Sequence, residues 1–218
     1  MPNRTGLLPA ATAALVLTAL LTGCGSGGGP TAPAPTGSLS AGFLGQASPP
    51  APEATIQPAA GSWDGVHPPK GYRVVLLTEG EDAGTTALRD AVTDWADREG
   101  VDVQRVVVTD PSLAIDKIVF AMSSKPDLVI AAGGSLVDPL ALVTASHLDR
   151  QFLVLGAQLP EPTYNVTATV WDGASSRGSE IAGESGTVTV TPERAQEAVE
   201  AGVASVVNDL TGIVIWLS

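Results

Sequence analysis

The sequence predicts an α/β fold, a doubly wound and mainly parallel sheet with helices on both faces. The first observation is a short, continuous apolar run at residues 127–131 (DLVIA), which is typical of a strand buried on both faces. The second is the glycine turn GGS at residues 133–135, and the third is the helical spacing of Leu140, Val143 and His147 beyond it. Strand, turn and helix recur in this order along the chain, which predicts parallel strands joined by helices.

The chain begins with a stretch that is typical of an export signal. Arg4 precedes an apolar run at residues 6–21, which has the length of a signal-peptide core and is short for a membrane span. The run ends in Leu21-Thr22-Gly23-Cys24, which resembles a bacterial lipobox, so residues 1–23 are predicted to be a lipoprotein signal peptide. We therefore expect Cys24 to carry lipid and to hold the protein at the extracytoplasmic face of the cell membrane; an uncleaved N-terminal anchor is the alternative. Cys24 is the only cysteine, so no disulfide is expected in the folded part.

Residues 24–70 are predicted to be a disordered linker that is rich in proline, glycine and alanine. Such a segment buries too little apolar surface to offset the entropy lost on ordering. Proline makes it extended, so we expect a stalk that holds the folded part away from the membrane. Near its end, Trp63 and Val66 either pack against the folded part or belong to a mobile tail, and the sequence leaves both open. A single α/β lobe is predicted to occupy residues 71–218, which is enough chain for one core.

Two strand–helix units open the lobe. Residues 73–78 (RVVLLT) form the first predicted strand, and residues 101–109 (VDVQRVVVT) form the second. The helix between them shows apolar residues at helical spacing, namely Leu88, Ala91, Val92 and Trp95. Gly100 is expected to end this helix. Asp110-Pro111 starts the second helix, which ends before Pro126.

The remaining elements continue the alternation. After the central strand, Asp138 is predicted to cap a third helix that has Pro139 in its first turn. Further strands are predicted at 152–156 and 165–171, a short helix at 173–184, and a strand or an extended segment at 187–191. Thr191-Pro192 opens the last helix and Gly212 ends it, so that residues 213–217 (IVIWL) form a returning C-terminal strand.

The expected strand order places a ligand site between the first and third strands. Right-handed crossovers and the usual strand order of doubly wound folds together predict the order 2-1-3-4-5. In such Rossmann-like sheets, ligands bind at the carboxyl ends of the strands where the order reverses. The turns at residues 79–86 and 132–138 would then face each other. The predicted ligand-binding residues are Asp82, Thr85 and Thr86 on one side, Gly133, Gly134 and Ser135 on the other, and Asp172 as a further contributor.

Composition and spacing argue against several other functions. A net charge of −12 with only 11 lysines and arginines disfavours nucleic acid, which needs clustered basic residues. Ser135, Asp138 and His147 lie within one short segment and lack the G-x-S-x-G elbow, so no catalytic residue is predicted. No metal site is expected, because His67 and His147 are far apart in the sequence. No cofactor is predicted, because the G-x-G-x-x-G pattern is absent and the acidic residues at 79–82 would repel a phosphate.

Several stretches, taken in order, resemble the basic membrane protein (BMP, PnrA-like) family of solute-binding lipoproteins of ABC importers. Residues 126–130 (PDLVI) with Gly133 resemble the family's D-L-I-I-x-x-G segment, and residues 149–154 (DRQFLV) resemble its P-D-x-x-F strand. Residues 164–166 (YNV) and 181–183 (IAG) resemble its P-N-V and L-A-G motifs, and the lipobox also belongs to the family pattern.

The resemblance implies a type I periplasmic-binding-protein-like lobe that binds a nucleoside or a similar small polar solute. Family members have two lobes, and this chain is too short for two, so it is expected to represent one lobe closed by its returning helix and strand. The family's D-x-S-F-N turn corresponds here to residues 82–86 (DAGTT), in which the aspartate matches and the aromatic residue and asparagine do not.

Three functions stay open at this point. The first is a membrane-anchored solute-binding lipoprotein of an ABC importer, in intact or degenerate form, with an ABC permease as its partner. The second is a non-catalytic interaction lipoprotein that has lost solute binding, or a homodimer that rebuilds a cleft between two copies. The third is an extracytoplasmic enzyme, which the sequence favours least.

Overall fold

The computed structural model describes residues 34–44, 50–174 and 190–218. The predicted signal peptide, Cys24 and most of the predicted elements at 173–184 and 187–191 lie outside these ranges. The strands are β1 (Thr55–Ile56), β2 (Arg73–Glu79), β3 (Asp102–Val108), β4 (Leu128–Ala132), β5 (Phe152–Leu155), β6 (Val166–Trp171) and β7 (Val214–Leu217). The helices are α1 (Ala41–Leu44), α2 (Ala83–Glu99), α3 (Ala114–Ser123), α4 (Val137–Thr144) and α5 (Pro192–Val207), and a 3₁₀ turn at Pro111–Leu113 precedes α3.

One parallel sheet organises the described residues, with strand order β1-β7-β6-β5-β4-β2-β3. Each strand pairs in parallel with its neighbours, as in the register Thr78 to Ala132 between β2 and β4. The predicted first to fifth strands correspond to β2, β3, β4, β5 and β6, so the predicted order 2-1-3-4-5 is confirmed. The returning C-terminal strand β7 lies beside β6, and the doubly wound α/β class is confirmed.

The core has two layers because helices cover both faces of the sheet. Helices α2 and α5 pack on one face, where residues such as Leu76, Ile130 and Leu153 point. Helices α3 and α4 pack on the other face, against alternate residues such as Leu77 and Val154. All five residues of β4 are buried, as the continuous apolar run predicted.

The ends of α2 and α5 follow the signals in the sequence. Asp82 caps α2, and Gly100 ends it with a left-handed φ of 67° that a residue with a side chain rarely adopts. Thr191 caps α5 through its side chain, and Pro192 occupies the first turn. The capping residues in the sequence are therefore enough to predict where α2 begins and ends and where α5 begins.

Helix α4 differs from its prediction at both ends. It begins at Val137 rather than after Asp138, because the Val137 N–H already bonds to the carbonyl of Gly134 in the preceding turn. It ends at Thr144, so His147 lies in the turn beyond it and not on the helical stripe. The buried side-chain amide of Asn165 supports this turn by donating to the carbonyls of Thr144, His147 and Arg150 at 3.2, 3.0 and 2.9 Å.

The predicted linker requires a correction over its described residues, 34–44 and 50–70. Thr55 and Ile56 form β1, which extends the sheet beside β7. Phe43 is fully buried and meets Trp63 edge to face, with ring centroids 6.5 Å apart. These residues belong to the same compact unit as the sheet, so the folded part begins well before residue 71. The physical reason is that a few large apolar residues in this proline-rich segment bury enough surface to order it.

Within the described ranges, no helix combines the length and the apolar character needed to cross a membrane.

Candidate functional site

Two turns meet at the carboxyl edge of the sheet. One follows β2 and leads into α2, and the other follows β4 and leads into α4. They are adjacent because β2 and β4 pair directly. A Cβ atom on Gly133 would lie 3.1 Å from the Thr85 hydroxyl, which shows how closely the two turns approach. The two turns therefore meet where the strand order reverses, as the sequence predicted.

The turns enclose a cleft of about 340 Å³. It is lined by Asp82, Ala83, Gly84, Thr85, Leu88, Gly133, Gly134, Ser135, Gly156 and Val190. Asp82, Thr85, Gly133, Gly134 and Ser135 are thus brought together as predicted. The lining combines one carboxylate and two hydroxyls with three aliphatic side chains, so the cleft has a polar and an apolar part.

Asp82 supplies the negative charge of the cleft. Its Oδ2 accepts from the Thr85 hydroxyl at 2.6 Å, and its Oδ1 accepts from the Thr85 N–H at 3.0 Å. These two bonds lower the pKa of Asp82 below its usual range, and the hydroxyl contributes most. Its position at the N-terminus of α2 also favours the charged form. Asp82 is exposed, so this carboxylate can accept hydrogen bonds from a bound molecule.

The second turn offers backbone and hydroxyl groups. Gly133 has a φ of 88° and donates its N–H to the Leu155 carbonyl at 2.9 Å, which fixes the turn against β5. The positive φ explains the glycine, since residues with a side chain are strained there. Ser135 is exposed at the mouth of the cleft.

Two predicted site residues lie elsewhere. Thr86 lines a separate groove between α2 and α5, because one step along a helix turns the side chain by about 100° away from Thr85. Asp172 is exposed just after β6 and is not among the residues that line the cleft. Of the acidic residues at 79–82, Glu79 and Glu81 line a different groove towards β3, so only Asp82 faces the cleft.

Three lining residues that lie outside the two predicted turns were missed from the sequence. Gly156 directly follows β5 as Gly133 directly follows β4. This recurrence of a glycine after a strand could have indicated that Gly156 belongs to the same edge of the sheet. Leu88 is a core position of α2 that also reaches the cleft. Val190 carried no local signal, and its Cγ2 lies 3.2 Å from the position that a Cβ on Gly84 would occupy.

The residues considered for catalysis and metal binding are not assembled. Ser135 precedes α4 and His147 follows it, so the eight residues of the helix, about 12 Å at 1.5 Å per residue, separate them. No group of three His, Cys, Asp or Glu side chains is arranged to hold a metal ion in the part of the chain that the structure describes.

No protein-family model matches this chain, and no curated protein sequence matches it. Among solved structures, it is similar to an ABC transporter solute-binding protein from Aeropyrum pernix K1, at 19% identity and a TM-score of 0.43, over 47% of this chain and 29% of that one. It is similar to a fragment of a protein named as a lipoprotein from Peptoclostridium difficile 630, at 18% identity and a TM-score of 0.46, over 64% of this chain and 99% of that one. It is also similar to a periplasmic ribose ABC transporter protein from Conexibacter woesei DSM 14684, at 18% identity and a TM-score of 0.39, over 67% of this chain and 54% of that one. The chain thus spans less than a third of the Aeropyrum protein, and likeness at these levels concerns the fold alone.

Proposed function

We propose that this protein is an extracytoplasmic lipoprotein whose lobe binds a small polar solute in the cleft between the turns after β2 and β4. The observation that carries the proposal is the convergence of Asp82, Thr85 and the turn at residues 133–135 on one cleft of about 340 Å³. Clefts of this size at the carboxyl edge of a parallel sheet are the usual place for a small ligand.

The charge of the cleft narrows the solute class. Among the described lining residues, Asp82 is the one ionisable side chain, and the bonds from Thr85 keep it ionised at neutral pH. An ionised carboxylate attracts hydroxyl and amine donors and repels phosphates and carboxylates. A neutral, hydroxyl-bearing solute such as a nucleoside fits this chemistry.

Binding is favoured over catalysis. A nucleophile needs a base within hydrogen-bond reach, and the length of α4 separates Ser135 from His147. The groups that face the cleft are acceptors, hydroxyls and aliphatic side chains, which are suited to recognition.

The place in the cell and the transport role rest on the sequence. The lipobox that ends in Cys24 supports anchoring at the outer face of the cell membrane. The ordered resemblance of residues 126–183 to the BMP family supports delivery of the solute to an ABC permease. Under this proposal the chain acts as a single binding lobe.

The experiment is a thermal-shift screen against nucleosides and neutral sugars, followed by calorimetric titration of each hit with wild-type protein and Asp82→Asn. Asparagine keeps the helix cap and removes the charge, so we expect a folded protein that is slightly less stable at pH 7 and binds about tenfold more weakly, as for loss of a hydrogen bond to a charged group. Asp90→Asn, in the neighbouring groove, is the matched control and should bind as the wild type does. If no solute raises the melting temperature, or if Asp82→Asn binds with full affinity, this assignment of the cleft fails.

A second candidate is a non-catalytic interaction lipoprotein, and one observation favours it. Large apolar side chains are exposed on α3 and on the 3₁₀ turn before it, with exposed fractions of 44–55%: Leu113, Ile115, Val119 and Phe120. Contiguous exposed apolar surface often marks a protein contact. Light scattering after size exclusion tests the homodimer form of this candidate, since a monomer at high concentration excludes it.

A further inference from the structure

The segment that leads from the predicted lipid anchor enters the fold at the amino edge of the sheet, the edge at which the strands begin. Thr36 exchanges two backbone hydrogen bonds with His67, at 3.0 and 2.8 Å. The Nδ1 of His67 lies 2.8 Å from a carboxylate oxygen of Glu99, the last residue of α2. Because α2 begins at the cleft and ends just before β3 starts, these contacts hold the first described residues at the edge opposite the cleft.

The length of chain between Cys24 and this edge limits which surface can face a membrane. Cys24 and Ala34, the first described residue, are ten residues apart, and such a segment spans at most about 35 Å when fully extended. The seven residues of β2 alone separate the two edges by roughly 20 Å, and the turns at both ends add to this distance. A lipid on Cys24 therefore reaches a membrane at the amino edge readily, whereas a membrane at the cleft requires the segment to run along the whole lobe.

The two edges of the sheet also differ in charge. The described turns that follow β2, β3 and β6 contain no lysine or arginine and carry only acidic charge: Glu81, Asp82, Asp110 and Asp172. Lys70, Lys125 and Arg150 lie in turns that precede β2, β4 and β5, at the amino edge, together with acidic residues such as Asp127 and Asp149. An anionic membrane surface therefore repels the cleft edge more strongly than the amino edge.

Large apolar and aromatic side chains are exposed at the amino edge. They lie in the last turns of α3 and α4 and in the turns before β5 and β6, with exposed fractions of 41–69%: Phe120, Leu142, Leu148 and Tyr164. The Tyr164 hydroxyl donates to the Leu148 carbonyl at 3.2 Å, which holds these two residues together. Exposed aromatic and aliphatic side chains beside lysine and arginine are typical of surfaces that lie in the headgroup region of a membrane.

We infer that the amino edge is a membrane-contact surface, which lays Phe120, Leu142, Leu148 and Tyr164 on an anionic bilayer so that the cleft opens away from it. The inference rests on the lipid anchor of the proposed function and adds to it the surface of the lobe that faces the lipid. A solute then enters the cleft from the extracytoplasmic space, and the acidic turns around the cleft stay clear of anionic headgroups.

The test measures how close each edge lies to the bilayer in the full lipidated protein, held in nanodiscs of phosphatidylcholine and phosphatidylglycerol. Lipid occupies the Cys24 thiol, so an introduced cysteine is the only free thiol for a fluorescent label. Ser146→Cys places the label in the exposed turn before β5, and Asp172→Cys places it at the exposed position after β6. Lipids with a nitroxide in the headgroup should quench the label at position 146 and leave the label at position 172 at its unquenched intensity.

A pair of matched double variants tests the side chains themselves. Leu142→Gln/Leu148→Gln, made in the Ser146→Cys protein, should lose the quenching, because glutamine gains much less than leucine on leaving water. Leu113→Gln/Ile115→Gln makes the same kind of change at the opposite end of α3, where both side chains are 44% exposed, and should keep the quenching. All four side chains are exposed, so both variants are expected to fold.

The outcomes separate the inference from the proposed function. If mass spectrometry finds no lipid on Cys24, the proposed anchoring fails and the inference fails with it, whatever the screen for solutes shows. If Cys24 is lipidated and the two labels are quenched alike, or the label at position 172 is quenched more, the inference is overturned while the anchoring stands. If Leu142→Gln/Leu148→Gln keeps the quenching, these side chains do not contact lipid; a wild-type dimer that this variant dissociates in light scattering would identify a protein contact instead.

Discussion

The Asp82 carboxylate lies 2.6 Å from the Thr85 hydroxyl and also accepts the Thr85 backbone N–H. The same hydroxyl lies 3.1 Å from the place of a Cβ on Gly133. Thr85 therefore connects the two turns of the cleft, and it orients the carboxylate that faces a ligand. The Asp82–Thr85 contact thus caps the N-terminus of α2 and also fixes the position of the carboxylate in the candidate site.

The Asp82–Thr85 contact predicts how stability changes in acid. Because the pKa of Asp82 is lowered in the folded state, its contribution to the free energy of unfolding is complete above the unfolded pKa of about 4. It is lost as the pH falls through the lower folded pKa. Urea unfolding of wild type and Asp82→Asn should therefore show a stability difference at pH 7 that shrinks below about pH 4.

Asp110 provides a matched control for this pH dependence. It caps the 3₁₀ turn before α3, and the hydroxyl of Ser112 lowers its pKa in the same way. Asp110→Asn should show a pH-dependent difference of the same sign but leave solute binding unchanged, since Asp110 does not line the cleft. A difference for Asp82→Asn that grows in acid would contradict the assignment of its lowered pKa.

Buried hydroxyls on β6 predict substitutions that stabilise the protein. Thr167 and Thr169 are fully buried, and neither hydroxyl has a partner among the described residues. An unpaired buried hydroxyl is destabilising by about 1–3 kcal/mol in protein mutational data. Thr169→Val has nearly the same shape, so we expect the free energy of unfolding to rise by about 1 kcal/mol, measured by urea denaturation.

Thr85→Val is the matched control for the β6 substitution. It makes the same chemical change at a buried threonine whose hydroxyl is bonded, and it should lower the free energy of unfolding by about 1 kcal/mol. Equal effects at Thr169 and Thr85 would show that the hydrogen bond to Asp82 contributes nothing.

Gly202 allows α5 to pack close to the sheet, which predicts a strong effect of adding one methyl group. A Cβ at this position would lie 2.6 Å from Cδ1 of Leu153 and 3.1 Å from Cγ2 of Thr169. Gly202→Ala should lower the free energy of unfolding by about 1–3 kcal/mol, because the side chains around it are fully buried. The double variant with Leu153→Ala should lose less than the sum of the two single losses, and strict additivity would refute the proposed clash.

The elements that the sequence predicted well depend on local information. The apolar run of β4 and the caps Asp82 and Thr191 are each read within a few residues. The strand order was predicted from the handedness of the crossovers together with the usual order of doubly wound folds. For the candidate cleft, the sequence predicted only lining residues that belong to the turns after β2 and β4. Gly156 and Val190 enter the cleft through neighbouring strands and a distant segment, and no local pattern reports such proximity.

The N-terminal segment was mispredicted because its order depends on partners that are far away in the sequence. Composition alone makes residues 24–70 a linker, yet Ile56 pairs with Ile215 on the last strand. The Glu53 N–H donates to the Gly212 carbonyl at 2.7 Å, and His67 pairs with Glu99 on α2 at 2.8 Å. Each contact joins this segment to a residue that lies much later in the sequence.

The earlier boundary of the folded part can be tested by shortening the chain. A fragment of residues 34–218 keeps all the described residues and serves as the reference for urea unfolding. A fragment of residues 71–218 loses the buried Phe43, Ile56 and Trp63, so the surface they cover becomes exposed to water, and it should be clearly less stable.

Within the longer fragment, Phe43→Ala should lower the free energy of unfolding by about 3 kcal/mol, since its fully buried ring packs against Trp63. Leu39→Ala, at a partly buried position of the same segment, is the control and should cost less. Equal stability of the two fragments would restore the original boundary at residue 71.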